Sequence, residues 1–250
     1  MHAQNPNVSH DSIAHQRHHH TYADPHRRAP ALADVILGGQ DGLVNVLGVI
    51  LGVAAASGDA HLVLVAGLAA TFAESVSMGA VAYTSTMTEA DVYASERARE
   101  YRHVQHLPEL ERQEIRELYA RKGFSGEMLD RIVATITANP DVWVAVMLAE
   151  EHQLTPVHRD QALRSGLVVG IAAVIGSLIP LAPFVVLPVS AGMWASVVVA
   201  ALVLFAVGAY KGQVTVGHPG RSGLELALIG TVSALVGYAV GTLLHVPVAP

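Results

Sequence analysis

Five long apolar runs constrain the fold of this chain more than any other feature of its sequence. Each run reaches the roughly 20 residues that an α-helix needs to cross about 30 Å of hydrocarbon. Charged residues make up only 14% of the chain, whereas soluble domains carry about 25%. We therefore predict an all-α membrane protein with five transmembrane helices. The predicted spans are Val35–Ala56, Leu62–Tyr83, Gly166–Leu187, Val189–Tyr210 and Leu224–His245.

The basic residues all lie on one side of these spans. Lys and Arg are retained on the cytoplasmic side of short loops. All 15 of them precede span 1, lie between spans 2 and 3, or lie between spans 4 and 5. We therefore expect a multi-pass membrane protein whose N-terminus and span 2–3 insert are cytoplasmic, with the C-terminus on the opposite side. In a bacterium, the protein would lie in the cell membrane.

The expected organisation has four parts. A His-rich cytoplasmic tail (1–33) precedes spans 1 and 2 (34–87), and a cytoplasmic acidic helical domain (88–164) separates them from spans 3 to 5 (165–250). Span 2 is predicted to continue as one helix to about His106, because neither Gly nor Pro interrupts this stretch. Three more helices complete the insert: Pro108 to Lys122, Ser125 to Asn139, and Pro140 to Leu154.

The composition excludes several classes of protein. The chain contains no Cys, which excludes disulfides, thiolate zinc sites and iron–sulfur clusters. Basic and aromatic residues are not combined in a nucleic-acid-binding pattern. The sequence carries no Ser–His–Asp signature, Gly-rich phosphate loop or His-Glu-x-x-His motif. We therefore expect neither an enzyme nor an organic cofactor nor a nucleic-acid partner.

Carboxylates in the insert repeat at helical spacing, which predicts a metal site. Carboxylate pairs on facing helices can hold divalent ions, and oxygen with imidazole ligands suits Fe2+, Mn2+ and Zn2+. Interleaved arginines leave an ordinary ion-paired surface open as the alternative. The predicted metal ligands are Glu96, Glu100, His103, Glu111, Glu114, Met147, Glu150 and Glu151.

Spans 1 and 2 each carry a carboxylate at membrane depth. At 1.5 Å per residue, Asp41 lies about 9 Å inside span 1 and Glu74 about 14 Å inside span 2. A charge there costs roughly 2.5–3.5 kcal/mol even on the lenient insertion scale, so it usually faces the bundle interior and marks a pathway. A helix cap remains an alternative for Asp41, and packing for Met78. The predicted transport pathway comprises Asp41, Asn45, Glu74 and Met78.

With these residues, the chain resembles the vacuolar iron transporter family, which comprises iron and manganese transporters of plants, fungi and bacteria. The resemblance covers about residues 32–246 and the five-span topology. Its motifs are Asp41-Gly42-Leu43, Ser77-Met78-Gly79-Ala80 with Tyr83, Glu89-Ala90-Asp91, and Met147-Leu148-Ala149-Glu150-Glu151.

The resemblance implies a homodimer in the lipid bilayer that exports divalent metal from the cytosol in exchange for protons and so serves iron homeostasis. By matching positions, Asp41 and Met78 would line the path, and Glu100, Glu111, Glu114, Met147 and Glu151 would hold metal in the insert. The chain departs from the pattern at four positions, which are Ala70, Glu74, His103 and Leu148. His103, in place of a Glu, favours zinc or iron over manganese.

Two alternatives remain open from the residues alone. A membrane-anchored cytoplasmic metal buffer or sensor would use the insert and need the spans only as an anchor, although carboxylates within the spans argue against it. The N-terminal histidines could gather metal or form an ordinary tail. They are His10, His15, His18, His19, His20 and His26.

Overall fold

The computed structural model describes residues 29–214 and 217–244, and these residues form helices without any strand. The predicted N-terminal histidines and His245 lie outside this part of the chain. In order, the helices are α1 (Ala29–Ser57), α2 (Ala60–His106), α3 (Pro108–Arg121), α4 (Gly126–Thr137), α5 (Pro140–Glu150), α6 (Asp160–Leu181), α7 (Pro183–Val186), α8 (Val189–Val214) and α9 (Pro219–Leu243).

Five of these helices are long and apolar enough to cross a membrane, as the sequence predicts. They are α1 from Leu32, α2, α6, α8 and α9. Helices α4 and α5 are together long and apolar enough for one further span, but the chain bends by 111° between them. Both of them contribute to a separate apolar core with α2 and α3, so they belong to the insert.

Helix α1 is the centre of the membrane bundle. One of its faces packs with α8 and α9 through a core that includes Leu47 and Leu204. Its other face packs with α2, α6 and α7 through a core that includes Ile50 and Phe184. Because lipid is as apolar as these side chains, close van der Waals packing rather than hydrophobic burial must hold the spans together.

Glycines bring the backbones of the spans into contact. A Cβ on Gly38 or Gly42 of α1 would overlap the α6 backbone, and one on Gly79 of α2 would lie 2.9 Å from the carbonyl oxygen of Gly166 in α6. On the opposite side of α1, a Cβ on Gly52 would lie 3.0 Å from the carbonyl oxygen of Gly237 in α9. Helix α6 therefore packs closely against both α1 and α2 and fixes their position relative to each other.

The insert begins as a direct continuation of span 2. Helix α2 runs for 47 residues and ends at His106, as predicted, and Pro108 occupies the first turn of α3. Asn139 caps α5 through a bond from the Asp141 amide. Ser125 occupies the cap position of α4 as predicted, but its side chain makes no capping bond.

Three predicted boundaries are wrong. Span 3 ends at Leu181 rather than Leu187, because two prolines (Pro180 and Pro183) lack the amide that a continuing helix needs. Helix α4 ends at Thr137 because Asn139 caps the next helix. Helix α5 ends at Glu150 rather than Leu154, because Gln153 adopts a left-handed conformation with φ of 55°.

The glycine contacts make a testable prediction about stability. A Cβ at Gly176 of α6 would overlap the backbone of Gly39 in α1, whereas one at Gly220 would meet nothing within 4 Å. Gly176→Ala should therefore lower the free energy of unfolding by about 1–3 kcal/mol, as overpacking does. The matched control, Gly220→Ala, should melt like the wild type in the same detergent. Equal melting temperatures for both variants would contradict the close contact of α1 and α6.

Candidate metal site and membrane pathway

Three predicted ligands meet where α2 and α3 come together. Glu100 and His103 lie in the last turns of α2, and Glu111 lies in the first turn of α3. His103 Nδ1 is 3.9 Å from Glu100 Oε1 and 3.2 Å from Glu111 Oε1. Ligand atoms of these three residues all lie within 4.8 Å of one another. The tight turn at Leu107 brings together side chains that the sequence places on two separate helix faces.

Both carboxylates of this cluster are buried. The side chains of Glu100 and Glu111 are each 3% exposed, and the Oε2 atom of each has no hydrogen-bond partner. Burying a charged oxygen without a partner is costly. Two such oxygens beside an imidazole form the kind of donor set that binds a divalent cation, which favours the metal-site interpretation over a solvated surface.

Further acidic side chains surround the cluster. Burial raises the pKa of Glu111 to about 7, with further contributions from the charges of Glu100, Glu114 and Glu151. Burial, followed by the charge of Glu151, also raises the pKa of Glu114. Helices α2, α3 and the end of α5 therefore bring five of the predicted ligands into one acidic centre: Glu100, His103, Glu111, Glu114 and Glu151.

The other three predicted ligands have different surroundings. Met147 is buried in the apolar core of the insert beside residues such as Ile115 and Trp143. Glu96 forms an ion pair with Arg99, with an N–O distance of 2.7 Å. Glu150 forms an ion pair with Lys122. The two glutamates thus form ion pairs of the kind that the sequence left open as the alternative, and their role as metal ligands stays a prediction.

One residue next to this cluster was not predicted from the sequence. His152 follows α5, and its Nε2 lies 3.0 Å from Glu100 Oε1. Helical spacing did not identify it, because the residues three and four positions before it are Ala149 and Leu148, neither of which is a carboxylate or an imidazole. A histidine directly after the Glu150-Glu151 pair was the only available signal.

The second group of predicted residues lies between α1 and α2 within the membrane. The Asn45 side-chain amide donates a hydrogen bond of 2.5 Å to Glu74 Oε1, and Asp41 is close enough for its carboxylate to interact with that of Glu74. Asp41 lies well inside α1, so it does not cap this helix. Met78, one turn after Glu74 on α2, is half-buried. Spans 1 and 2 therefore bring two carboxylates and an amide together.

Comparison with known proteins shows the family of the chain. Residues 32–242 match the VIT family. The chain belongs to the VIT family. It is 33% identical over 222 residues to vacuolar iron transporter 1 of Arabidopsis thaliana, with 88% of each chain covered. It is 32% identical over 221 residues to vacuolar iron transporter 1 of Eucalyptus grandis, covering 86% of this chain and 89% of that protein.

The similarity extends beyond plants. The vacuolar iron transporter of Plasmodium falciparum is 26% identical over 223 residues, covering 85% of this chain and 82% of that protein. Membership of the VIT family confirms the resemblance seen in the sequence. The names of the family's members indicate a transporter rather than an enzyme, as the motif content of the sequence predicts.

The raised pKa of Glu111 makes a prediction about stability. The folded protein holds a proton on Glu111 up to pH of about 7, whereas the unfolded chain loses it near 4.5. The unfolded state therefore binds fewer protons between these values, and stability falls as the pH rises from about 4.5 to about 7. In the presence of a chelator, Glu111→Gln should reduce this loss of stability with rising pH. It should also raise the melting temperature at pH 8.

The matched control for this prediction is Glu117→Gln, which changes an exposed carboxylate of the same helix. Thermal melts of the detergent-solubilised protein at pH 5 and pH 8 should give the wild-type pH dependence for this control. A wild-type pH dependence for Glu111→Gln as well would show that Glu111 is ionised in the metal-free fold.

Proposed function

We propose that this protein exports divalent metal from the cytosol in exchange for protons, with Fe2+ as its main substrate. Mn2+ and Zn2+ are further substrates in this proposal. The observation that carries it is the hydrogen bond from Asn45 to Glu74 within the membrane, with the Asp41 carboxylate near enough to interact with Glu74. The names of the relatives, which are vacuolar iron transporters, support iron as the ion.

In this mechanism the insert collects the ion and the spans conduct it. Glu100, His103 and Glu111 offer buried carboxylate and imidazole donors on the insert. An ion that enters hydrocarbon loses its water and needs anionic oxygens in exchange, which Asp41 and Glu74 supply, while Met78 offers a softer contact. The same two carboxylates can hold protons after the ion leaves, which provides an exchange cycle without additional residues.

The direction of transport in this proposal depends on the orientation of the protein. The short connections at Gly58 and Pro188 contain no Lys or Arg, whereas the insert and the connection between α8 and α9 contain them. The positive-inside rule then places the N-terminus and the insert in the cytoplasm and the C-terminus on the opposite side. The metal-collecting cluster would consequently face the compartment from which metal is exported.

We also propose that the protein acts as a homodimer. Asn45 is exposed in the single chain, and Glu74 is only partly buried, although both lie within the membrane. Polar groups at this depth normally face protein or a water-filled cavity instead of lipid. A second copy packed against the outer face of α1 and α2 would cover these polar groups and separate the pathway from lipid.

The first test measures flux. Proteoliposomes containing the wild type should take up Fe2+ under anaerobic conditions when a pH gradient is imposed. Asp41→Asn and Glu74→Gln should each reduce uptake to background, because each removes an anionic oxygen. Glu225→Gln changes an exposed carboxylate of α9 and should transport normally. Normal uptake by both pathway variants would favour the membrane-anchored cytoplasmic metal buffer or sensor.

The second test addresses the dimer, and the absence of native Cys simplifies it. Val49 is exposed on α1 one turn after Asn45, whereas Leu202 is exposed on α8. In membranes, Val49→Cys should form an oxidative crosslink between two chains, and Leu202→Cys should form much less. Crosslinking of Leu202→Cys alone would place the interface on α8 and overturn this arrangement.

A further inference from the structure

The buried carboxylate of Glu100 is approached by two imidazoles, one from α2 and one from the segment that follows α5. His103 comes from the same helix, with its Nδ1 3.9 Å from Glu100 Oε1. His152 comes from beyond α5, with its Nε2 3.0 Å from the same oxygen. The side chain of His152 is one-third exposed and that of His103 less than half exposed, so both imidazoles are partly accessible to solvent.

Each imidazole lies at ligand spacing from one of the two buried carboxylates. Two atoms bound to one metal at about 2.1 Å lie about 3.0 Å apart when their bonds are at right angles and about 3.4 Å apart at the tetrahedral angle. The observed separations are 3.0 Å for His152 and Glu100 and 3.2 Å for His103 and Glu111. The three residues whose ligand atoms all lie within 4.8 Å of one another are Glu100, His103 and Glu111. His152 lies beside this group, within ligand spacing of Glu100, and a movement of its side chain would bring it to the same ion.

The backbone fixes the position of His152. The amides of Glu151 and His152 both donate to the Met147 carbonyl, and the Leu154 amide donates to the Leu148 carbonyl at 2.8 Å. Gln153 lies between them with φ of 55°. These bonds close the end of α5 and hold the histidine beside α2. Its location next to Glu100 therefore follows from a defined turn and not from a free linker.

We propose that His152 is a metal ligand, and that with His103 it gives the Glu100–Glu111 site a preference for Zn2+ and Fe2+ over Mn2+. The proposal rests on the proposed function, because it specifies which ions the insert collects. Imidazole suits zinc and iron, whereas sites made of carboxylate and water suit manganese and magnesium. Two nitrogen donors beside two carboxylates thus lower the preference of the site for hard ions such as Mn2+.

His152 could instead only donate a hydrogen bond that orients Glu100. These two roles respond differently to His152→Gln, because the glutamine amide retains a donor but is a poor ligand for zinc. A positioning role would leave the order of metal affinities unchanged. A ligand role predicts that the variant loses affinity for zinc while it keeps most of its affinity for manganese.

The experiment measures metal binding to the purified full-length protein in detergent. Co2+ is the spectroscopic probe, and Zn2+ and Mn2+ compete for it at fixed pH. His152→Gln should weaken Co2+ and Zn2+ binding at least about tenfold and change the visible absorption of bound Co2+. Its Mn2+ affinity should stay within about threefold of the wild type. His103→Gln should show the same pattern of losses.

The matched control is His158→Gln, which removes an exposed imidazole six residues further along the chain. It should bind all three ions like the wild type. The N-terminal histidines are identical in every variant, so their contribution cancels in these comparisons.

Two outcomes would overturn the inference. They are an equal loss of Zn2+ and Mn2+ affinity in His152→Gln, and unchanged binding with an unchanged Co2+ spectrum. Failure of the proposed function would be seen separately, as normal liposome uptake by Asp41→Asn and Glu74→Gln.

Discussion

The close contact of α6 with both α1 and α2 is the constraint on which the rest of the membrane domain depends. Glycines at Gly42 and Gly79 allow the α6 backbone to approach each of these helices, and in lipid this packing replaces the hydrophobic drive available to soluble proteins. It fixes the mutual position of α1 and α2, and thereby the contact of Asn45 with Glu74. Each of these polar groups would lack a partner on a lone helix, and the packing of the two helices supplies one.

The polar cluster of the insert and the polar group between α1 and α2 differ in how their carboxylate oxygens are satisfied. In the insert, Glu100 and Glu111 are almost completely buried, and each has one oxygen without a hydrogen-bond partner. The metal-free fold bears that cost, which is the usual relation between a preorganised site and stability. Between α1 and α2, the Asn45 amide satisfies Glu74 directly. In the proposed mechanism, this difference suits the insert to firm binding of a cation and the membrane site to binding followed by release.

Much of this arrangement follows from the sequence, because hydropathy and helical spacing determine it. Five spans, the unbroken helix to His106 and the start of α3 at Pro108 are all local properties. The unpredicted features depend on tertiary structure. Spacing places Met147 and Glu151 on one face of a helix, but only the packing of α5 decides that Met147 enters the apolar core. His152 reaches Glu100 through a left-handed turn at Gln153 that no periodic pattern indicates.

The continuity of α2 has a consequence for how the two centres communicate. Glu100 follows Glu74 by 26 residues on this single helix, so at 1.5 Å per residue they lie about 39 Å apart. An ion cannot pass directly from one site to the other over this distance. On the proposed function, an ion held at Glu100 would stay near the membrane site, and one ion within a sphere of that radius corresponds to a local concentration on the order of millimolar. In the proposed mechanism, the part of α2 between Glu74 and Glu100 would act as a tether of fixed length that raises the local concentration of a scarce ion.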